Sequence, residues 1–326
     1  MSDAYAFVLR ETGGPDVLHP EGIDVPRPGP GQALVRNEAI GLNFIDTYHR
    51  SGLYAVPLPS GLGNEGAGIV EAVGEGVGEV REGNRVGYFT GSLGAYATHR
   101  LVDAERLVKL PDAISSEVAA AAMLKGCTVE YLIERCARVQ PDEAVLVHAA
   151  AGGVGSILVP WLKHVGARVI AHAGDSRKAA LAKELGADHS LCCPLDGLAA
   201  EIRSLTEGKG VPIVLDGVGR ASWAASLGSV ARRGLIVTYG NASGPVPPFS
   251  ALDLLSAGSI FVTRPTLADY CRTSDEIRAS AARLFELIEK GILKIRIGAR
   301  FPLREAADAH RAIESRATTG STVLLP

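Results

Sequence analysis

Five apolar runs stand out from Ala144 onward: AVLVHA (144–149), RVIAHA (168–173), IVLDGV (213–218), LIVTYG (235–240) and SIFVTR (259–264). Each is apolar almost throughout, and helix-length segments at 153–165, 176–186, 197–206 and 222–230 lie between them. Continuous apolar strands linked by helices build a parallel sheet covered on both faces. A weaker run, HSLCC at 189–193, falls in the widest gap. It brings the strands to six, the size of a doubly wound sheet.

The pattern before residue 128 is different. AGIVEAVGEGVGEVREGNRVGYF sets valines between closely spaced glycines, which a helix tolerates poorly. This predicts a compact, barrel-like β unit with tight turns. DVPRPGPGQALVRNEAIGL feeds a Pro/Gly turn into a strand over 33–39, and LGAYATHRLVDAERLVKLP adds two short strands. ISSEVAAAAMLKGCTVEYLIERCA, after Pro111, reads as a helix with Ser115 or Ser116 as its cap. Beyond Pro265 come an amphipathic helix ending near Gly291, a second helix in PLREAADAHRAIESR and a last strand in STVLLP. This tail is too short for a third domain. The expected division is 1–127, completed by 266–326, and 128–265.

The length of 326 residues agrees with two domains, since single cores rarely grow past roughly 250–300 residues. The net charge is −3, with both signs interspersed, so the chain lacks the basic footprint of a nucleic-acid binder. The five cysteines form no C-x-x-C pair and read as reduced thiols. MSDAYAFVLRETGG has no basic region leading into an apolar run, and no stretch has 18 unbroken apolar residues. The expectation is a cytoplasmic protein with neither secretory signal nor membrane span.

The candidate chemistry begins at the turn after AVLVHA. From Ala150 it reads A-A-G-G-V-G, with Gly152 and Gly155 in the second and third places of G-x-G-x-x-G and Ala150 in the first. The second glycine lets a diphosphate approach the backbone, the third lets helix and strand pack closely, and the helix N-terminus presents unpaired N–H groups. A cofactor with a free ribose 2′-hydroxyl usually meets an acid at the end of the next strand, where this chain has Ala173. Ser176, Arg177 and Lys178 follow and suit a 2′-phosphate. Asp175 opposes that reading unless it caps the following helix. NADPH is therefore expected over NADH.

NFIDTYHRSGLY, GNEGAG, HAAAGGVG, YGNASG, VTRPTL and ESRATTGS occur in this order along nearly the whole chain. Together they resemble the zinc-free quinone oxidoreductases of the medium-chain dehydrogenase/reductase superfamily. The resemblance implies an α/β protein in which a Rossmann-type doubly wound parallel sheet accompanies a GroES-like β-rich catalytic domain. It also implies a homodimer and NADPH-dependent reduction of small quinones, in one-electron or two-electron steps. Zinc members of the superfamily have a Cys at the place of Asn43 and a G-H-E motif at the place of Gly63-Asn64-Glu65. An amide at either place is a poor zinc donor, so no metal is expected. Without that Lewis acid simple alcohol oxidation is disfavoured, whereas a quinone accepts hydride unaided.

Residue by residue, the resemblance places Asn43, Asp46 and Tyr48 near the nicotinamide, with Tyr48 and Asn43 as the catalytic candidates. Lys125 and Thr128 lie on the long helix that passes the cofactor. Gly152, Gly153, Val154 and Gly155 match the phosphate contact, and Gly174, Ser176 and Lys178 the adenosine end. Gly217, after Asp216, and Gly240, Asn241 and Ser243 follow two further strands. Val262, Thr263 and Arg264 match a segment beside the nicotinamide, and Arg316 a late arginine on the cofactor. Cys193 replaces a tyrosine that close bacterial relatives place near the adenine. Plainer roles compete: a turn or cap for Asp46, packing for Tyr48 and a brace for Lys125. Glu65 pairs with a basic neighbour on this reading, and His148 and His172 pack within strands. Tyr48 or Tyr54 is the candidate proton donor. GSIFVTRP, as an apolar edge strand, suggests how two copies would join. Two rivals stand beside the quinone reductase: an NADPH-dependent enone or enoyl-thioester reductase, and a non-enzymatic NADPH-binding protein.

Overall fold

The apolar runs from Ala144 onward form one parallel sheet. The computed structural model describes residues 4–326. Among them, six strands lie in the order His189–Leu191, Arg168–His172, Ala144–His148, Val211–Asp216, Val230–Thr238 and Phe261–Thr263. Every neighbouring pair is parallel. In chain order this is 3-2-1-4-5-6, the doubly wound arrangement whose strand order reverses beside the first strand. Val145, Leu146, Val147, Val214 and Leu215 are fully buried, which explains why these strands carry no polar alternation.

Helices Gly155–His164, Ser176–Glu184, Leu195–Leu205 and Trp223–Ser229 supply the crossovers. The fifth strand starts five residues before its apolar run. Val230 pairs with Val211, and a register shift then carries the pairing to Ile213 and Leu235. Arg232, Arg233 and Gly234 fall within that offset and conceal the strand's start. Two short helices, Ala251–Ser256 and Leu267–Tyr270, lie where the sequence shows no helical period. The long helix expected after Pro111 is Ser116–Glu130, with the Ser115 hydroxyl accepting from the Val118 N–H, and it runs into a π-wound turn over Tyr131–Cys136.

The chain divides into two compact units. One comprises the residues up to Cys127 with Cys271–Glu289 and Ile295–Pro326, and the other Thr128–Tyr270 with Lys290–Lys294. The exchange after the parallel sheet thus falls at 270/271 instead of 265/266, and residues 290–294 belong with the second unit. The first unit is built on the eleven-residue strand Gln32–Leu42. Its larger sheet runs Ile297–Pro302, Ser321–Leu325, Gln32–Leu42, Glu65–Val73, Arg85–Tyr88 and Val108–Lys109, and His99–Asp103 also pairs with the long strand.

The C-terminal strand is central to this sheet. Ser321–Leu325 is parallel to Ile297–Pro302 and antiparallel to Gln32–Leu42, with Leu324 opposite Ile40. Leu324 is fully buried in a core with Phe7, Leu9, Ile40, Val70, Val86 and Leu303. At Leu42 the long strand ends. Asn43 then caps the helix Phe44–Ser51, and Gly52 closes it at φ 80°, a conformation that favours glycine.

Leu324→Ala removes buried side-chain volume from the strand that joins the two ends of this unit. Urea unfolding should show a loss of about 2–5 kcal/mol. A loss below about 1 kcal/mol would show that the core closes without this strand.

Candidate active site

In the first unit, two buried carboxylates organise the residues around the helix Phe44–Ser51. Asp46 and Glu65 are both fully buried. Asp46 Oδ2 accepts from the Asn43 backbone N–H at 2.9 Å and from the Tyr96 hydroxyl at 3.1 Å, and its Oδ1 accepts from Asn64 Nδ2 at 2.8 Å. Glu65 Oε2 accepts from Asn43 Nδ2 at 2.9 Å, and Oε1 from the Leu124 N–H at 2.6 Å. Gly41 makes room for Glu65, since a Cβ there would sit 2.7 Å from the Glu65 carboxyl carbon.

Lys125 is the cation beside Glu65. Its Nζ is 3.7 Å from Glu65 Oε2 and donates to the Leu42 carbonyl at 3.4 Å. Burial pushes the Asp46 carboxyl up to about 6, against the opposing hydrogen bonds from Asn43, Asn64 and Tyr96 and the charge of Lys125. Burial also raises Glu65, and Lys125 opposes it most strongly. Tyr48 is buried with its ring centroid 5.2 Å from that of Tyr54. Asn43, Asp46 and Lys125 are thus tied into one polar cluster around Glu65, and Tyr48 lies on the same helix as Asp46. Arg316 is exposed on the turn before the last strand, with φ 60°.

In the second unit, the glycine corner leads from Ala144–His148 into the helix Gly155–His164. A Cβ on Gly155 would lie 2.6 Å from the Ala150 carbonyl carbon. Only a glycine lets the helix start so close to the strand it follows. Gly152 and Gly153 offer the carbonyls that accept from the Ser156 N–H at 2.8 Å and the Ser156 hydroxyl at 3.0 Å. Such a cradle, with its helix N-terminus, suits a diphosphate, and Val154 lies within it. Gly174 is exposed with open space where a Cβ would be.

Ala173, where an acid would read the 2′-hydroxyl, is buried. Asp175 caps the helix Ser176–Glu184, accepting from the Lys178 N–H at 2.8 Å. That bond holds its carboxyl below the usual range. The Lys178 ammonium lies 3.6 Å from Asp175, and Ser176 and Arg177 are exposed on the first turn. Cys193 lies beyond the strand His189–Leu191, and its carbonyl accepts from His172 Nε2 at 3.0 Å.

The turns after the fourth and fifth strands are latched together. A Cβ on Gly240 would be 3.0 Å from the Gly217 carbonyl carbon. Ser243 Oγ donates to the Val218 carbonyl at 2.8 Å and accepts from the Ala221 N–H at 2.9 Å, while Asn241 lies between. Asp216 anchors the first turn from below, accepting from the Val218 and Gly219 N–H groups and from Ser222 and Ser226. His148 Nε2 is 3.0 Å from Ser226 Oγ, and burial pushes this imidazole down to about 4. Val262 and Thr263 are half-buried on the edge strand, Arg264 donates to the Pro265 carbonyl, and Thr128 is buried on the long helix.

Sequence reasoning missed three residues of the first cluster: Tyr96, His310 and Arg50. Tyr96 holds Asp46, His310 Nε2 is 3.0 Å from the Tyr96 oxygen, and Arg50 Nη1 is 3.0 Å from His310 Nδ1. Tyr96 and His310 are 214 positions apart, so no local spacing could have announced them.

The donor set around Asn43 and Asn64 does not suit zinc. Both Nδ2 groups already donate to carboxylates, and neutral amides are weak zinc donors. Among the described residues no group of three or more His, Cys, Asp or Glu is placed to hold a metal ion. Nor is any helix among them long and apolar enough to cross a membrane.

Known proteins with this pattern are numerous. Residues 29–112 match the alcohol dehydrogenase GroES-like domain, and residues 153–287 match the zinc-binding dehydrogenase family. The chain is 50% identical to a quinone oxidoreductase of Pseudomonas aeruginosa over 96% of this chain and 97% of that protein. It is 42% identical to a 2-haloacrylate reductase of a Burkholderia species over 98% of each chain. The crystal structure of Escherichia coli quinone oxidoreductase complexed with NADPH superposes with a TM-score of 0.97 at 43% identity, covering 99% of this chain and all of that one. The chain belongs to the zinc-independent quinone oxidoreductase branch of the medium-chain dehydrogenase/reductase superfamily.

Gly155→Ala tests the cradle. The added methyl meets backbone rather than a yielding side chain, so unfolding should show a loss of about 1–3 kcal/mol. Fluorescence titration should show NADPH binding weakened at least about tenfold. An alanine variant that binds NADPH as the unmodified protein does would contradict this account of the corner.

Proposed function

We propose that this protein reduces small quinones with NADPH and without a metal. The observation that carries the reading is the pair of amides at 43 and 64, each bonded to a buried carboxylate. They leave a site of two amides, the two carboxylates they serve and one ammonium. The near-full-length likeness to quinone oxidoreductases supports the acceptor class, and the likeness to a relative solved with NADPH supports the cofactor.

Bound NADPH supplies the hydride. The cradle of Gly152, Gly153, Val154 and Gly155 would hold its diphosphate, and Gly174, Ser176 and Lys178 its 2′-phosphate end, with Cys193 at the adenine. A 2′-phosphate competes with Asp175 for Lys178, whereas a free 2′-hydroxyl finds no acid at Ala173. Gly217, Gly240, Asn241, Ser243, Val262, Thr263 and Arg264 would hold the nicotinamide half. Thr128, Arg316, Asn43, Asp46, Tyr48 and Lys125 complete the set. Tyr48, braced edge-on by Tyr54, offers an aromatic surface that orients a planar acceptor. The Lys125 ammonium favours negative charge developing on an acceptor oxygen.

A second reading has one specific observation in its favour, the likeness to a 2-haloacrylate reductase. Reduction of an activated alkene needs a proton delivered to carbon as well as a stabilised oxygen. Tyr48 is the candidate donor for that step. A panel of acceptors at saturating NADPH separates the readings: kcat/KM for 1,4-benzoquinone should exceed that for 2-chloroacrylate or a linear enone by at least about tenfold, or about 1.4 kcal/mol. The reverse order would transfer the assignment to the alkene reductases. In the same assay NADPH should surpass NADH by at least about tenfold.

The protein acts as a cytoplasmic homodimer on this reading. Phe261 on the edge strand is 63% exposed, as is Leu255, and Leu252 is 68% exposed. The Ile260 N–H bonds the Leu254 carbonyl, tying helix Ala251–Ser256 to this edge. An apolar sheet edge of this kind is commonly hidden by pairing, and a two-fold axis would join two copies. Sedimentation should give twice the chain mass of 34.0 kDa, and Phe261→Asp should shift the species toward the monomer. A monomer for the unmodified protein at micromolar concentration would reject the dimer.

A further inference from the structure

The hydrogen bonds behind Asp46 run in one direction only. Arg50 is buried, with Nη1 and Nη2 on the Glu314 carboxylate at 3.1 and 2.6 Å and Nε on the Gly13 carbonyl at 3.1 Å. A guanidinium can only donate, so His310 Nδ1, 3.0 Å from Arg50 Nη1, must accept. The neutral ring therefore carries its hydrogen on Nε2. Burial and the Arg50 charge keep the ring neutral, pushing it down to about 3. Nε2 then donates to the Tyr96 oxygen at 3.0 Å, and the single hydroxyl hydrogen of Tyr96 is left for Asp46. No tautomer or hydroxyl rotation stays undetermined along the chain Glu314, Arg50, His310, Tyr96 and Asp46.

We infer that Arg50, His310 and Tyr96 are positioning residues that hold Asp46 as an acceptor-only carboxylate, and through it set the Asn64 amide and the 43–46 turn for cofactor binding. This rests on the reading that the Asn43–Tyr48 loop faces the nicotinamide. The consequence for Asn64 is specific. Its Nδ2 is committed to Asp46, so its carbonyl oxygen is the end it presents to a ligand N–H or O–H. If Tyr96 could turn its hydroxyl away, Asp46 would lose one of its three donors, and the carboxylate plane that aligns the Asn64 amide and the Asn43 N–H would be free to turn. Arg50 is never deprotonated, so the chain is a lock and does not conduct protons from Glu314. The three residues converge from distant segments: Arg50 lies in the last turn of the helix Phe44–Ser51, Tyr96 follows the 89–95 loop, and His310 sits on the helix Ala306–Glu314.

The test uses Tyr96→Phe, His310→Leu, His310→Gln, Asp46→Asn and the Tyr96→Phe/Asp46→Asn double variant. Each is read by NADPH dissociation constant from fluorescence titration, by KM and kcat, and by unfolding midpoint. Tyr96→Phe and His310→Leu should each raise the NADPH dissociation constant and KM about tenfold, the effect of losing one hydrogen bond to a charged group. The kcat should stay within about twofold, as expected when an interaction serves ground and transition states alike. Glutamine at 310 keeps an N–H for Tyr96 and a carbonyl for Arg50, and should restore binding to within about threefold. The double variant should bind no worse than Asp46→Asn alone, since the lock acts only through Asp46. Additive losses in the double variant would overturn the proposal even if His310→Leu failed to fold. So would unchanged NADPH binding in Tyr96→Phe when Asp46→Asn binds weakly. If Asp46→Asn itself binds NADPH normally, the loop reading beneath the proposal fails instead.

Discussion

The first unit depends on making two buried carboxylates tolerable. An unpaired buried charge costs several kcal/mol, and the penalty is offset only when hydrogen bonds satisfy its oxygens. Asp46 receives three donors and Glu65 two, with one ammonium nearby. These donors come from a strand end, a loop, a helix start and the long helix. Meeting the needs of two side chains therefore fixes four backbone segments relative to one another within that unit. The same requirement orients both asparagine amides, so the polarity of the cluster follows from its charges.

In the second unit the governing constraint is the approach of backbone to backbone. Gly155 lets a helix begin against its own strand, and Gly217 and Gly240 let two neighbouring turns touch. Asp216 then secures the first of those turns with a set of donors much like the set around Asp46. Both units thus use a buried aspartate as the hub of a turn, although only the one in the second unit sits at the end of a parallel strand.

How much was readable in advance follows from where each signal resides. The parallel sheet was legible because strands such as Ala144–His148 are buried on both faces and so are apolar at every position up to the terminal His148. The start of the fifth strand was hidden because its register shift places two arginines in the offset. At the site, the glycine corner and the Asp175 cap could be read from neighbours in sequence. The Tyr96–His310 contact could not, since His310 looks like an ordinary helix residue until the fold brings it to a tyrosine 214 positions away. Cys193 shows the intermediate case. Its position after the third strand was evident, but the backbone bond to His172 depends on sheet order.

The placement of Ser321–Leu325 between Ile297–Pro302 and Gln32–Leu42 has a consequence for biosynthesis. Domains tend to fold as units while the chain emerges from the ribosome. The parallel sheet, formed from one stretch between Ala144 and Thr263, can consolidate as soon as that stretch is clear. The larger part of the β-rich unit precedes that stretch, yet its sheet lacks one strand until Ser321–Leu325 has emerged. Its N-terminal part must wait with the Ile40–Leu42 end of the long strand unpaired on that side, while His99–Asp103 already covers Gln32–Arg36, and an open strand end is an aggregation-prone feature of a nascent unit.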